Sequence, residues 1–285
     1  MTAASARILG LGTYVPPRVV TNHDLTQVMD TRHEWIVERS GIEARRWVDT
    51  DEGNYTMGVK AARAALADAA CDASEIDCII YATLSPDYFF PGCGVLVQRE
   101  LGIGPVPAFD IRQQCSGFVY GLQMADAFVR SGQYRKILLI GGEVHSRGLD
   151  RSTRGRTVTV LFGDAAGAAV IGASEDPARG ILVSRMHSDG SDAECLAMPW
   201  PGMAAGRETF VTHADIDEGR IWPVMDGQKV FKTAVRRMPE VIHEVLAEQG
   251  LAVSDIDMLI PHQANLRINE MVAKLLRIDP DKVHN

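Results

Sequence analysis

Two side chains in this 285-residue sequence have the type and setting for nucleophilic chemistry, the thiol of Cys115 and the imidazole of His262. A cysteine becomes a useful nucleophile where its thiolate is favoured. A helix N-terminus does this, because free backbone N–H groups and the positive end of the helix dipole face the sulfur. Residues 106–111 alternate apolar side chains as a buried strand does, and Phe118, Leu122, Ala125 and Val129 then recur at helical spacing up to Ser131-Gly132. The pattern predicts Cys115 at a strand-to-helix junction, and Gly117 and Gly121, four apart, leave room for another backbone to approach. An inert structural cysteine has the same local signature, so this window leaves both roles open.

His262 sits in Pro261-His262-Gln263-Ala264-Asn265, between a strand predicted over 256–260 and an amphipathic helix reaching Ile278. A cysteine with a distant histidine serves many covalent chemistries, while a lone histidine is more often structural. Trp35 and Arg39 lie four apart on a helix predicted over 32–40, opened by the capping-box spacing of Thr31 and Glu34 and stopped at Gly41. An aromatic plate beside a guanidinium can hold a nucleotide base or phosphates, and it is equally what a surface tryptophan packed under an arginine looks like.

Composition narrows the classes. With 46% hydrophobic and 23% charged residues the chain is an ordinary globular protein, large enough for two domains. A net charge of -8 argues against a general nucleic-acid binder. The five cysteines, 71, 78, 93, 115 and 195, form no C-x-x-C pair, which suits reduced thiols in a cytosol better than disulfides or a zinc site. The N-terminus has no basic leader region and no run approaches membrane-spanning length, so a cytoplasmic protein is expected, with neither membrane nor metal.

The elements that must position these residues alternate. Strands are predicted at 6–14, 76–82, 106–111, 136–141 and 256–260, with 158–162 and 168–171 as a further pair and 180–187 as another strand. Helices are predicted at 55–70, 91–101, 227–249 and on from Cys115. Such alternation predicts an α/β fold with largely parallel pairing. Gly163-Asp164-Ala165-Ala166-Gly167 lacks the lysine and following helix of a phosphate loop and reads as a structural turn.

A repeat runs through this order. Leu66-Ala67, Ser74, Ile76-Asp77 and Ile80 match Leu246-Ala247, Ser254, Ile256-Asp257 and Ile260 at a constant offset of 180, as Ser254 from Ser74. Two duplicated halves are expected, 1–172 carrying Cys115 and 173–285 carrying His262, related so that the two side chains could approach. The same offset carries Cys115 to position 295, past Asn285, and the end of a full second copy to about 350. The expectation is a C-terminally truncated second half, missing its last strands.

Together these residues resemble a β-ketoacyl-acyl carrier protein synthase III, one of the thiolase-like condensing enzymes. The likeness rests on residues 110–122 around the cysteine, Gly163 to Ala168, Met186-His187-Ser188-Asp189-Gly190-Ser191, residues 227–232 with Val230-Phe231, and Pro261 to Arg267. It covers essentially the whole chain. The resemblance implies a five-layer αβαβα arrangement and a decarboxylative Claisen condensation without a bound cofactor. In that reaction Cys115 takes an acyl group from acyl-CoA, and the enolate released from malonyl-acyl carrier protein attacks it to give a 3-oxoacyl product. It further implies that His262 donates to the enolate oxygen, that Trp35, Arg39 and Arg156 contact the CoA nucleotide, that Asn265 lies near the pantetheine arm, and that Arg267 and Lys274 receive the acidic carrier protein. Phe89 and Phe90 resemble the segment that reaches a neighbouring subunit, so a homodimer is expected. The family's catalytic asparagine belongs to a Gly-Asn-Thr segment absent from this sequence, and Asn285 is not its counterpart. Gln113-Gln114 stand where many members have small residues, and Ala165 where glycine is frequent. The starter acyl chain is not legible. Three other readings stand beside this one: a sibling thiolase-like acyl-transfer enzyme, a cysteine hydrolase, and a catalytically silent partner subunit.

Overall fold

The computed structural model describes residues 5–176 and 178–285. In chain order the elements are β1 (Ala6–Tyr14), β2 (Val19–Thr21), α1 (Asn22–Thr26), α2 (His33–Ser40), β3 (Ala44–Arg46), α3 (Asn54–Asp68), β4 (Cys78–Ala82), α4 (Cys93–Leu101), β5 (Ala108–Ile111), α5 (Gly117–Ser131), β6 (Lys136–Glu143), α6 (Arg156–Thr159), β7 (Ala165–Ala173), β8 (Leu196–Ala197), α7 (His213–Asp217), β9 (Val224–Met225), α8 (Gly227–Gln249) and α9 (Leu266–Leu276). They fall into two compact units. One takes in the chain up to Val19, Arg46–His145 and Gly163–Met186, and the other Val20–Arg45, Ser146–Phe162 and His187–Asn285.

The first unit is built on one mixed sheet with strand order β1-β7-β6-β4-β5. Its centre is parallel, with β4 pairing β5 on one side and β6 on the other, while β7 runs antiparallel to both β6 and β1. Parallel neighbours need crossovers, and α4 and α5 supply them. The largely parallel pairing expected from sequence therefore holds only for β5, β4 and β6. The expected pairing of 158–162 with 168–171 is not formed. Hydrogen bonds to β1 and β6 occupy both edges of β7, and residues 156–159 are the short helix α6.

The strand period of two sorts the core into faces. Ile79 and Tyr81 of β4, with Leu138 and Ile140 of β6, pack against Met57, Ala61 and Ala65 of α3 and Cys93 and Val97 of α4. Cys78, Ile80, Ile137 and Leu139 point the other way, against Ala125 and Val129 of α5. Helices thus cover both faces, which is why these strands are apolar on both sides.

In the second unit α8 and α9 share a core in which Ile268, Val272 and Leu276 meet Phe231, Val235, Met238 and Ile242. The repeat is visible in local geometry: one 3-10 turn occupies Ala73–Glu75 and another Val253–Asp255, at the same offset of 180. Beyond it the copies diverge. Residues 256–260, expected as a buried strand, contribute a single parallel bridge, Leu259 to Val283, and Met258 and Ile260 are 54% and 73% exposed. Residues 180–187 are likewise irregular. Apolar alternation does not make a strand without a ladder partner, and among the described residues these segments have none beyond that bridge. No helix among the described residues is long and apolar enough to cross a membrane.

Candidate active site

Cys115 stands at the exit of β5. After Ile111 the chain makes one 3-10 turn, Gln114–Ser116, and α5 begins at Gly117. The expected junction is present, with a refinement: the thiol precedes the helix by a turn whose first residue, Gln114, has φ +42°, a left-handed conformation that costs a non-glycine residue about 1 kcal/mol or more. The two glycines explain how α5 closes on the sheet. A Cβ on Gly117 would come within 3.0 Å of Ala82 Cβ in β4, and one on Gly121 would overlap the fully buried Leu139 of β6.

The electrostatics correct the sequence argument. Cys115 is open to solvent, yet its pKa is raised above the ordinary 9.0, first because surrounding protein desolvates the thiolate. Its backbone N–H works in the opposite sense, and the negative charge of Glu143 adds to the rise. Placement ahead of a helix does not bring the thiol down, because desolvation is the largest contribution and the backbone N–H offsets only part of it.

In the second unit His262 follows the Leu259 bridge. That short turn is held by Leu259 N donating to Lys282 O at 2.8 Å, His284 N to Leu259 O at 2.9 Å, and Gln263 Nε2 to His284 O at 2.8 Å. Desolvation pushes the His262 pKa below 6.5, so its imidazole is neutral at neutral pH.

The same unit gathers the remaining expected residues. Arg39 Cζ lies 4.7 Å from the Trp35 ring centroid and Arg156 Cζ lies 5.4 Å from it, both within cation–π range. Arg156 is held by donating to Asp30 O at 2.7 Å. Asn265 caps α9 by accepting from Arg267 N at 2.9 Å and donates to Arg39 O at 3.1 Å, which ties the start of α9 to the end of α2. Arg267 Nε donates to Glu38 O. Lys274 is exposed in the last turn of α9.

Sequence reasoning misplaced the start of α2. The N-cap is Arg32, with no side-chain capping bond, because the chain enters extended at that residue; the Thr31 hydroxyl is buried without a partner, on the approach to Trp35. It also passed over Glu143, whose signal lies in the strand register and not in any motif. Phe89 and Phe90 are 66% and 81% exposed on the loop between β4 and α4.

The family described as 3-Oxoacyl-[acyl-carrier-protein (ACP)] synthase III matches residues 109–190, and its C-terminal counterpart matches residues 246–285. Among solved structures, 3-oxoacyl-[acyl-carrier-protein] synthase III from Aquifex aeolicus VF5 is 40% identical with a TM-score of 0.87, over 98% of this chain and 83% of that one. The corresponding synthase III from Pseudomonas aeruginosa PAO1 is 33% identical with a TM-score of 0.87, over 99% of this chain and 82% of that one. A priming β-ketosynthase from the R1128 polyketide biosynthetic pathway is 32% identical with a TM-score of 0.85, over 99% and 81%.

Proposed function

Since the chain belongs to the 3-oxoacyl-[acyl-carrier-protein] synthase III family of condensing enzymes and has its thiolase-like α/β fold, we propose that it condenses a short acyl-CoA with malonyl-acyl carrier protein through an acyl thioester on Cys115. The Cys115 sulfur attacks the acyl-CoA carbonyl, its proton leaves, and CoA departs as the thiol. Malonyl-carrier protein then loses CO2, and the resulting enolate carbon attacks the acyl-enzyme carbonyl. The new carbon–carbon bond yields 3-oxoacyl-carrier protein, and the Cys115 sulfur is released and reprotonated.

Each remaining residue has a task in this reading. Neutral His262 donates a hydrogen bond to the thioester oxygen on which enolate charge develops, and it needs no prior deprotonation to do so. Trp35 stacks the adenine, with Arg39 and Arg156 directed at the phosphates. Asn265 orients the pantetheine arm from the cap of α9. Arg267 and Lys274 meet the acidic carrier protein, and Phe89 and Phe90 meet a second copy in a cytoplasmic homodimer.

The observation that supports the reading most is the Trp35, Arg39 and Arg156 cluster, which joins residues far apart in sequence into one plate flanked by two cations. The test is intact-mass spectrometry after incubation with acetyl-CoA, then addition of malonyl-carrier protein or malonyl-CoA. An acetyl adduct on Cys115 that becomes a 3-oxoacyl product supports the proposal, and the faster acceptor identifies the partner. A folded protein that takes no adduct, or one that releases only free acetate, overturns it.

A further inference from the structure

The register of the first unit's sheet brings three strand exits to one level. Ala82 of β4 pairs with Ile111 of β5 on one side and with Gly141 of β6 on the other. Past that line β5 leads to Cys115, β4 to Thr83, Leu84 and Ser85, and β6 to Glu143. Because β4 is the middle strand, its exit lies between the other two. It is bonded to the cysteine side by Thr83 N donating to Ile111 O at 3.1 Å. Gly117, two residues after the thiol, packs on Ala82 at the same level.

Glu143 grips this middle exit from the far side. Its Oε1 accepts from Leu84 N at 2.9 Å, and its Oε2 accepts from Ser85 Oγ at 2.5 Å and Thr83 Oγ1 at 3.4 Å. Ser85 Oγ in turn accepts from Val144 N at 2.9 Å. The Asn54 amide closes the network by donating to Thr83 Oγ1 at 2.8 Å, Ser85 O at 2.8 Å and Gly142 O at 3.0 Å. Three consecutive residues thus share one carboxylate, a geometry that an uncharged acceptor would reproduce only in part.

We propose that Glu143 is a positioning residue for the reaction at Cys115: its carboxylate clamps residues 83–85 beside the end of β5, the strand that leads to the thiol, and fixes an anion on that side of the sheet. The inference rests on Cys115 being the acylated nucleophile. The other ionisable groups at this end of the sheet do not take part in the network around residues 83–85. Asp110 caps α4 through Cys93 N and Gly94 N, and Asp87 caps α3 through Asn54 N and Tyr55 N. Arg112 is exposed. His145 Nε2 lies 4.0 Å from Glu143 Oε2, and burial lowers its pKa, with Glu143 and Asp164 opposing. Desolvation is the first cause of the raised Cys115 pKa, and the fixed anion adds to it by disfavouring the free thiolate. The resting thiol therefore stays protonated, and the clamp keeps it aimed.

Glu143→Gln separates the two effects, since the amide keeps the shape and an acceptor for Leu84 N but removes the charge. Alkylation of the Cys115 peptide by iodoacetamide is followed by mass spectrometry from about pH 6 to 10 in wild type and variant. Removing a neighbouring anion lowers the thiol pKa, so the variant is expected to alkylate at least about threefold faster at pH 7.5, a shift of roughly half a pH unit. Glu143→Ala is expected to show the same shift and also to lose about tenfold in acetylation rate by acetyl-CoA, with Glu143→Asp partly restoring both. A folded Glu143→Gln protein with an unchanged alkylation profile overturns the proposal. So does a folded Glu143→Ala protein acetylated at the wild-type rate. If Glu143→Ala does not fold, Glu143→Gln decides alone. If wild-type Cys115 alkylates but accepts no acetyl group, the functional reading fails while the alkylation profile still judges Glu143.

Discussion

Replacing Trp35 by alanine offers a direct test of the CoA reading, because the expected loss is confined to one part of the substrate. The ring is half-buried on α2, which is anchored separately by the buried Ile36 and Ser40 and closed at Gly41 by its N–H bond to Val37 O, so the helix survives the change. What disappears is the surface that two guanidiniums approach, at 4.7 and 5.4 Å. Stacking a base on an aromatic ring is worth about 1–3 kcal/mol, and each exposed cation–π contact about 0.5–1 kcal/mol. Taking the base stacking alone, at tenfold per ~1.4 kcal/mol, KM for acetyl-CoA is expected to rise about 5- to 150-fold. S-acetylpantetheine has the same thioester and arm without the nucleotide, so its KM and kcat are expected to be unchanged. Both substrates are compared by steady-state release of their thiols, with thermal unfolding as a control for folding. Equal losses with the two substrates would mean that Trp35 supports the fold and not the nucleotide. No loss with either would remove the plate from the site altogether.

Further expectations follow from other parts of the structure. Because the His262 pKa is lowered and a donor role does not require the charged form, the condensation rate is expected to show no loss attributable to His262 down through pH 6.5 in a pH–rate profile. His262→Ala is expected to leave acetylation of Cys115 intact while reducing carbon–carbon bond formation about 100-fold or more, read by single-turnover assay. Gly121→Val places two methyl groups against the fully buried Leu139, so a loss of about 2 kcal/mol or more is expected from the midpoint of denaturant unfolding. Arg267→Glu is expected to raise KM for malonyl-carrier protein severalfold more than KM for acetyl-CoA, and equal increases would disconnect Arg267 from carrier docking.

What could be read from the sequence divides along physical lines. α8 was placed at its true ends, because Asp226 caps it, Gly250 stops it at φ +65°, and its apolar positions keep a helical period throughout. β1, β4, β5 and β6 were legible from their apolar runs, with ends shifted by a few residues at most. The place of β7 was not, because which strand lies beside which is decided by closure of the whole sheet. Strand-like residues 256–260 failed in the same way: their pattern is right, and the partners that would turn pattern into ladder are absent among the described residues. Trp35 and Arg39 could be paired by helical spacing, whereas Arg156, 121 positions after Trp35, entered only through family resemblance. Glu143 was invisible because its relation to Cys115 arises from three strands stopping at one level.

The charge states of the two central residues also bear on the choice among covalent chemistries. A cysteine hydrolase of the thiolate–imidazolium kind needs a thiol pKa pulled down and a histidine pKa pushed up, each by the charge of the other. Here both shifts run the opposite way: Cys115 is raised and His262 lowered, and desolvation is the first cause in each case. Both groups therefore rest uncharged. That arrangement is slow to activate a water molecule as a nucleophile and well suited to a thioester that must wait for a carbon nucleophile. Because Cys115 rests as the thiol, acetylation runs through its small thiolate fraction and should speed up with pH beyond neutrality. The acetyl-enzyme, once formed, should persist in buffer until the malonyl substrate arrives. Quenching at intervals and weighing the intact protein measures that lifetime. Hydrolysis of the adduct at a rate comparable to its formation would refute the argument from charge state.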